Sequence, residues 1–431
     1  MTLSAQPYKG TRDYYPEDKR TQNYIFNTWR TVVERFGYEE YGAPILEPID
    51  IYVAKSGQEL VNDQTYVFTD RGGRNVAIRP EMTPTISRMV AARRQELAYP
   101  ARLYSIANFM RYERPQRGRE REFWQLNVDV FGVDEVTADI EIITISDTIL
   151  KEFGAKDGDY IIRVNNRRFI SFMMSQYLGL DEVQAQQMTK LFDRRNKITE
   201  QDFKEQAGLI YGFDENAQLP DERFEKIEQL VKATTLDELP EELKESTALE
   251  ELRTVFEGLK KAGVTAAVFD ASLMRGLDYY TGTVFEVFDT HPDNNRSLFG
   301  GGRYDGLVGL FGAEPISAVG VAPGNTMIEN FLSVRGLIPA QKSLTKVYIV
   351  VIDDALDKAN DIATTLRAAG VNTEVDITNR KIDKKIKTAT KKNIDYVLFV
   401  GANDTDTFSF KNLSTEQEQK LSVDDIARLF A

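Results

Sequence analysis

The most chemically suggestive segment of the sequence is RYERPQRGREREFWQ, residues 111–125. Five arginines and three glutamates fall within its first twelve residues, around a Pro-Gln-Arg-Gly turn with strand-like arms. Side chains alternate along a strand, so Arg111 and Glu113 share one face. Guanidinium groups bind phosphate or carboxylate through paired hydrogen bonds and stay protonated. The segment is either an anion-binding hairpin or a solvated hairpin whose ions pair with one another.

Three shorter segments carry weaker signals. MRGLDYYTGTVFEVF places Arg275 in an apolar and aromatic run, and IRPEMTPT places Glu81 between Pro80 and Thr83. FGGGRYDG, residues 299–306, has three consecutive glycines, which allow backbone to approach a ligand closely or to turn sharply. It is neither a dinucleotide fingerprint nor a phosphate-binding P-loop. Each segment alone is equally consistent with a structural role.

The composition excludes several kinds of chemistry. There is no cysteine, so disulfides, thiol nucleophiles, cysteine zinc sites and iron–sulfur clusters are excluded. The one histidine, His291, lies in a polar turn and is interpreted as a surface residue, so no site can contain two histidine ligands. We predict no protein-held metal centre. Catalysis must use arginine, lysine, carboxylates, tyrosine, backbone amides and at most a carboxylate-held Mg²⁺.

The charge is unevenly distributed along the chain. A net charge of −13 argues against a protein that is generally coated with nucleic acid. Residues 380–392 nevertheless carry seven basic residues and one acid. With Ile382, Ile386 and Ala389 as a buried stripe, most of the lysines are expected to face solvent. Such a face suits a phosphate backbone, and a solubilising surface is the alternative.

The hydropathy pattern predicts no membrane span, because no run of 18 apolar residues occurs. The N-terminal MTLSAQPYKGTRDYYPEDKR lacks the apolar stretch of a signal peptide. We therefore expect a cytoplasmic protein.

The elements that must position these residues can be read from periodicity. Residues 17–36 and 138–154 have helical spacing, and short apolar or alternating runs between 62 and 132 predict antiparallel strands. Residues 175–262 are predominantly helical in pattern, and strands resume after them. Beyond residue 338, strands alternate with helices, which predicts a parallel sheet. The expected domains are an antiparallel core in two parts, 1–170 and 263–337, a helical insertion, 171–262, and a C-terminal α/β domain, 344–431.

Together these segments resemble the class II aminoacyl-tRNA synthetases, and the histidyl-tRNA synthetase family in particular. KGTRDYYP is similar to that family's opening signature, and APILEP looks like motif 1, the strand of the dimer interface. RYERPQRGREREFWQ resembles motif 2 in its histidyl form, while RGLDYYTG and GGGRYDG resemble the two histidine-specific signatures. The resemblance covers nearly the whole chain. It implies an α+β fold, with an antiparallel catalytic sheet, a helical insertion and a C-terminal anticodon-binding domain.

The resemblance also implies an activity and its partners. The protein would join L-histidine to the α-phosphate of ATP, with Mg²⁺ accompanying ATP, and then transfer the histidyl group to tRNA(His). It would work as a homodimer. Arg111 and Arg275 would be the catalytic arginines at the α-phosphate, and both would also contact histidine. Glu113 and Phe123 would bind adenine, and Arg119 would lie near the phosphates.

The remaining site residues implied by the resemblance bind histidine or tRNA. Those expected around the α-amino group and nearby polar atoms are Glu81, Met82, Thr83, Gln125 and Asp129. The imidazole pocket would be lined by Tyr279, Tyr280 and Tyr304. In the C-terminal domain the basic helix would contact tRNA through Lys384, Lys385 and Lys391.

Two departures from the family pattern bear on the site. Asp129 stands where many bacterial relatives carry glutamate, which shortens the side chain and keeps the carboxylate. Met327 stands where motif 3 usually carries an arginine that holds the ATP tail. We expect Arg119 or another arginine to replace it.

Two other functions remain open from the sequence. Relatives of this family act as histidine-sensing regulatory subunits of histidine biosynthesis without charging tRNA, and an RNA-binding protein could keep the same fold. The regulatory relatives usually lose the C-terminal domain and the motif 2 signature, and both are present here.

Overall fold

The computed structural model describes residues 3–53, 63–195, 198–213, 221–244, 246–274, 279–294, 296–340 and 342–430. These residues form two units, Met1–Pro339 and Ala340–Ala431, each with its own apolar core. Arg275 lies outside the described residues.

The first unit contains most of the secondary structure. Its strands are β1 (Glu39–Glu40), β2 (Leu46–Pro48), β3 (Tyr66–Thr69), β4 (Asn75–Ile78), β5 (Ala101–Met110), β6 (Glu122–Phe131), β7 (Tyr160–Asn166), β8 (Ala267–Phe269), β9 (Thr283–Asp289), β10 (Ser297–Arg303) and β11 (Ala318–Val321). Its helices are α1 (Pro16–Arg35), α2 (Asp50–Val53), α3 (Thr83–Ala92), α4 (Thr137–Glu152), α5 (Arg167–Phe172), α6 (Glu182–Asp193), α7 (Glu200–Ile210), α8 (Asp221–Lys232), α9 (Glu241–Lys244), α10 (Thr247–Lys261) and α11 (Asn325–Val334).

The second unit is smaller. Its strands are β12 (Val347–Val351), β13 (Thr373–Val375), β14 (Tyr396–Val400), β15 (Phe408–Asn412) and β16 (Glu418–Leu421). Its helices are α12 (Leu356–Ala368), α13 (Ile382–Lys391) and α14 (Val423–Arg428).

The central sheet of the first unit runs β1-β5-β6-β11-β10-β9-β7-β8 in the described residues. Its pairs are antiparallel except for β1 with β5 and β7 with β8. The antiparallel sheet and the separate α/β unit confirm the predicted fold class. A separate small antiparallel sheet has the strand order β2-β4-β3.

Helices cover one face of the central sheet because they are amphipathic. Helix α1 begins at Pro16, which suits the first turn of a helix, and acidic residues follow in that turn. Its apolar side, including Trp29 and Val33, is fully buried with Val128 of β6. The opposite face of β6 is thereby left for polar side chains.

The helical segment after β7 was predicted as an insertion at 171–262. Helices α6, α7, α8, α9 and α10 lie in it. Their apolar residues belong to the same core cluster as the central sheet, and both lie in the unit Met1–Pro339. The sequence analysis assigned no element to β7 or α3, although both belong to the first unit.

The sheet of the second unit has the order β13-β12-β14-β15-β16. Strands β13, β12 and β14 are parallel, as alternating strands and helices predict. The sequence analysis assigned no strand after β14, but β15 and β16 extend the sheet as antiparallel strands. The alternation in Phe408, Phe410 and the polar residues between them is the signal that was missed. No helix in the described ranges is long and apolar enough to cross a membrane.

Candidate active site

A cavity of about 450 Å³ opens on the face of the central sheet opposite α1 and α4. It brings together residues that are far apart in sequence and that the sequence analysis singled out. The members of that set that line the cavity are Glu81, Thr83, Arg111, Glu113, Arg119, Phe123, Gln125, Asp129, Tyr279, Tyr280 and Tyr304.

Strand β6 supplies the floor of the cavity. Residues Gln125, Asn127 and Asp129 lie two apart, so they share the face of the strand that lines the cavity. The intervening Leu126 and Val128 are fully buried in the helix-covered core. The Gln125 amide already makes one hydrogen bond within the protein, since its Nε2 donates to the Ala322 carbonyl at 3.1 Å.

Gly320 of β11 makes room for this row of side chains. It pairs with Asp129 across the two strands. A Cβ at this position would lie 2.2 Å from Oδ1 of Asp129 and 3.0 Å from the Val128 carbonyl oxygen. Because a real Cβ cannot approach so closely, only glycine leaves the Asp129 carboxylate where it is.

Asp129 is the most perturbed acid of the cavity. It is 4% exposed, it accepts a hydrogen bond from the Tyr304 hydroxyl, and its Oδ2 has no partner in the described part of the chain. Burial raises the pKa of Asp129 to about 7, although the Tyr304 hydrogen bond acts in the opposite direction. A carboxylate in this state binds a donor more strongly than an exposed one, because water does not compete.

Three tyrosines form a wall above Asp129. The rings of Tyr279 and Tyr280 lie 4.9 Å apart, and the Tyr304 ring meets Tyr279 edge-on at 5.9 Å. The Tyr279 hydroxyl donates to Oε2 of the buried Glu81 at 3.2 Å. Glycines permit this packing, since a Cβ on Gly302 would lie 2.9 Å from the Tyr280 ring. The wall encloses a space that suits a small planar group.

Arg111 presents its guanidinium to the cavity from the end of the β5–β6 hairpin. Its Nε donates to the Pro80 carbonyl at 2.9 Å, and its guanidinium carbon lies 5.3 Å from the centre of the Phe123 ring. Within the described residues, its Nη groups have no acceptor, so the outer fork can bind an anion. The Phe123 ring in turn stacks on Phe109 at 5.8 Å, which fixes the hairpin's inner face.

The other charges of the hairpin differ in role. Arg119 pairs with Glu113 at 3.1 Å, but Arg119 is 55% exposed, so the pair contributes little to stability. Arg121 is buried, its Nη1 donates to the Tyr8 hydroxyl, and its guanidinium lies 4.0 Å from the Tyr112 ring. Arg121 therefore holds the N-terminal segment to the hairpin. Both alternatives drawn from the sequence therefore occur in this hairpin. Arg111 faces the cavity, where it can bind an anion, and Arg119 pairs with Glu113.

Met327 lies at the start of α11 on the cavity wall. Its sulfur is close to the hairpin turn, because a Cβ on Gly118 would lie 2.3 Å from it. Gly118 has φ +77°, so a side chain at this turn would also be strained. Arg12 of the N-terminal segment is already paired, since it binds Glu329 of α11 at 3.0 Å and Asp18 at 3.0 Å.

Glu120 is a cavity residue that the sequence analysis did not single out. Its Oε2 is buried without a hydrogen-bond partner among the described residues, and burial raises the pKa of its carboxyl group. No cluster of three or more possible metal-ligating side chains occurs in the described ranges. Glu120 by itself offers one carboxylate oxygen to a cation that arrives with other ligands.

One expected histidine-site residue does not line the cavity, and one residue that was not expected does. Met82 is 1% exposed and packs with Ala107 and Phe109 beneath the hairpin, so its side chain does not line the cavity. Asn127 was not expected and does line it. Its signal was present in the sequence, because it lies midway between Gln125 and Asp129 on an alternating strand.

Helix α13 carries the expected tRNA-binding lysines of the second unit. Lys384 and Lys391 are exposed, as is Lys387 between them. Lys385 is 4% exposed, and its Nζ donates to the Val351 carbonyl at 2.9 Å, so it faces the sheet. The expectation that Ile382 belongs to the buried stripe was wrong, because Ile382 is 40% exposed and Lys385 takes the inward position. Lys385 is therefore not placed to contact a phosphate.

Comparison with known families divides the chain into the same two parts as the structure does. The family model described as histidyl-tRNA synthetase matches residues 10–325, and the anticodon binding domain matches residues 346–431. The histidine–tRNA ligase of Leptospira biflexa is 40% identical over 429 residues, which cover 98% of this chain and 96% of that protein. The histidine–tRNA ligase of Haloarcula marismortui is 36% identical over 423 residues, covering 96% and 94%.

Solved structures share the fold. The histidyl-tRNA synthetase of Nostoc sp. PCC 7120 superposes with a TM-score of 0.83 at 24% identity, covering 99% of both chains. A Bacillus halodurans C protein described as an ATP phosphoribosyltransferase regulatory subunit/histidyl-tRNA synthetase has a TM-score of 0.76 at 22% identity, covering 94% of this chain and all of that one. With a family match over most of its length and relatives that align from end to end, this chain belongs to the histidyl-tRNA synthetase family.

Proposed function

We propose that this protein activates L-histidine with ATP and then charges tRNA(His). In the first step a histidine carboxylate oxygen attacks the α-phosphorus of ATP. The new O–P bond forms histidyl-adenylate, and the bond to the β-phosphate oxygen breaks to release pyrophosphate. In the second step a hydroxyl of the tRNA 3′ end takes the histidyl group and AMP leaves.

The single observation that carries this proposal is the open guanidinium fork of Arg111 at the mouth of the tyrosine-walled pocket. Negative charge builds up at phosphorus in the first step, and fixed cations stabilise it. Arg111 is held by Pro80 and Phe123, so its fork is oriented before the substrate arrives. We assign it to the histidine carboxylate and the α-phosphate. Arg275 is proposed as the second cation, from the family motif alone.

Histidine is proposed to lie with its ring among the tyrosines and its α-amino group toward Glu81, Thr83 and Gln125. Glu81 is buried and held by Tyr279, which keeps the carboxylate aimed at the cavity. Asp129 lies beside Tyr304 at the deep end, so we assign it to the ring and not to the α-amino group. A polar pocket of this kind rejects analogues that leave its groups unpaired.

ATP is proposed to lie across the hairpin. Phe123 stacks on adenine, and Glu113 accepts from the adenine amino group after releasing Arg119 for the phosphates. Since Met327 supplies no cation, Arg119 replaces the usual motif 3 arginine at the ATP tail. Mg²⁺ would neutralise the phosphates, and the unpartnered oxygen of Glu120 fits as its one protein ligand.

The partners proposed beyond the active site rest on surface features. Exposed Lys384 and Lys391 of α13 would contact tRNA phosphates. The small sheet exposes Leu46, Val67 and Phe68, between 44% and 48% each, and burial of that patch in a homodimer would remove it from water. A cytoplasmic location agrees with the access to tRNA that this activity needs.

The alternative, a histidine-sensing regulatory paralogue, is the weaker proposal. The ligase is favoured by a relative of that name that aligns over nearly the whole chain and by the anticodon-binding domain of this chain. The fold alone does not separate the two, as the Bacillus halodurans structure illustrates.

Histidine-dependent exchange of labelled pyrophosphate into ATP, with Mg²⁺ and without tRNA, tests the first step. Exchange with histidine alone among the amino acids, followed by charging of tRNA(His), is the expected result. Histidine binding without exchange would favour the regulatory paralogue and identify Met327 as the first residue to replace with arginine.

A further inference from the structure

Asn127 has an unusual position for a buried asparagine. It is 3% exposed on β6, and its Nδ2 has no hydrogen-bond acceptor in the described part of the chain. The other described asparagines of comparable burial all donate through Nδ2, to Ala271 and Leu273, Glu251, Asp289 and Tyr14. An unsatisfied buried donor destabilises the fold, so it is expected to serve a ligand or a bound water.

The cavity places an unsatisfied acceptor next to this donor. Asp129 is two residues further along the same strand face, and its Oδ2 is also buried without a partner in the described residues. Both residues line the cavity, and their Cα atoms are about 7 Å apart on an extended strand. The floor therefore offers one N–H group and one carboxylate oxygen, below a wall of tyrosine rings.

Neutral imidazole carries the complementary pair of groups. Its ring has one N–H donor and one unprotonated nitrogen acceptor, whereas imidazolium has two donors. The Asn127 amide can serve the remaining ring nitrogen through Nδ2 when the ring is neutral and through Oδ1 when it is protonated. Resting on the proposed function, we propose that Asn127 contacts the substrate ring beside Asp129.

The competing explanation is a structural water. Ser105 of β5 is the cross-strand partner of Asn127, it is 2% exposed, and its Oγ also has no partner in the described chain. A water between Ser105 and Asn127 would satisfy both groups without any ligand. It predicts that removal of Asn127 changes the melting temperature and leaves the KM for histidine unchanged.

The test compares Asn127→Ala with Asn294→Ala in the full-length protein by pyrophosphate exchange and thermal melting. Asn294 is equally buried, but its Nδ2 donates to Asp289 at 2.8 Å outside the cavity. Asn127→Ala is expected to raise the KM for histidine about 10- to 100-fold, with the KM for ATP unchanged and little loss of melting temperature. Asn294→Ala is expected to lower the melting temperature and to leave the KM for histidine unchanged.

Asn127→Asp gives a second readout that a structural role would not move. It removes the N–H that an unprotonated ring nitrogen needs and leaves acceptors only, so the pH profile of histidine binding should shift toward the protonated ring, whose ordinary pKa is about 6.5. An Asn127→Ala protein with a histidine KM within twofold of wild type, or an Asn127→Asp protein with an unchanged pH profile, would overturn the inference. A wild-type protein without exchange would count against the proposed function instead.

Discussion

The proposed role of Asp129 comes with a cost to the fold. Its carboxyl group has a pKa of about 7 in the folded protein because it is buried, while an unfolded aspartate has an ordinary pKa near 4. Between these values the folded state binds the extra proton, so the contribution of Asp129 to stability falls as pH rises and is lowest above pH 7. The protein thus keeps a carboxyl group at a position where burial favours a neutral side chain.

Asp129→Asn should therefore stabilise the protein and inactivate it. At pH 8 the variant is expected to gain about 1 to 4 kcal/mol of unfolding free energy, and this gain should vanish toward pH 4. Denaturant unfolding at both pH values measures the difference, and pyrophosphate exchange measures the loss of activity. A variant that is less stable at pH 8 would contradict the raised pKa.

Gly320→Ala should displace the Asp129 carboxylate without replacing any polar side chain. The new Cβ would overlap Oδ1 of Asp129, so Asp129 must move and the KM for histidine should rise at least about tenfold. Gly306→Ala is the matched control, since a Cβ there has nothing within 4 Å. Equal kinetics for both variants would mean that the position of Asp129 is not critical.

At the scale of elements, α13 separates lysines that face solvent from one that faces the sheet. A triple replacement of Lys384, Lys387 and Lys391 by glutamine should weaken tRNA binding. Each lost phosphate contact should lower the slope of log K against log salt by about one. Lys385→Met is the control, because it removes an inward ammonium and should affect the stability of the second unit only. Filter binding over a salt series distinguishes the triple variant from the Lys385→Met control. An unchanged slope in the triple variant would show that α13 is not part of the surface that binds tRNA.

The elements that periodicity predicted well are those with a strong apolar stripe or a clear alternation. Helix α1 and the pair β5 and β6 lie where the pattern placed them. Strand β7 was missed because it runs directly into α5, without a turn signal between them. Lys385 was misplaced because a long side chain can bury its stem and still satisfy its charge on a carbonyl, which no hydrophobic pattern reveals.

The site was predictable where family motifs carry it and less so elsewhere. Eleven of the singled-out residues line one cavity, although they come from four separate segments. Met82 adjoins the motif residues in sequence, but helix α3 turns its side chain into the hairpin core. Asn127 follows from strand alternation, but its missing hydrogen bond is a property of the packed structure alone.

At the scale of the whole molecule, the chain divides at Pro339 into two units with separate cores. Residues 1–339 contain the whole described cavity. They are expected to keep histidine-dependent pyrophosphate exchange within about tenfold of the full chain and to lose most charging of tRNA(His), because the basic face of α13 is gone. Parallel exchange and charging assays measure this. Loss of exchange together with charging would show that the second unit is needed for the first step.

The raised pKa of Asp129 has a thermodynamic consequence for ligand binding. Near neutral pH, before a ligand binds, the Asp129 carboxyl group is protonated about half of the time. In the proposed binding mode a ring N–H donates to Asp129 and stabilises its ionised form, so histidine is expected to displace that proton when it binds. Calorimetric titrations in buffers of different ionisation enthalpy should then report different heats of binding. Occupancy of the synthetase by its amino acid would fall whenever its surroundings become more acidic.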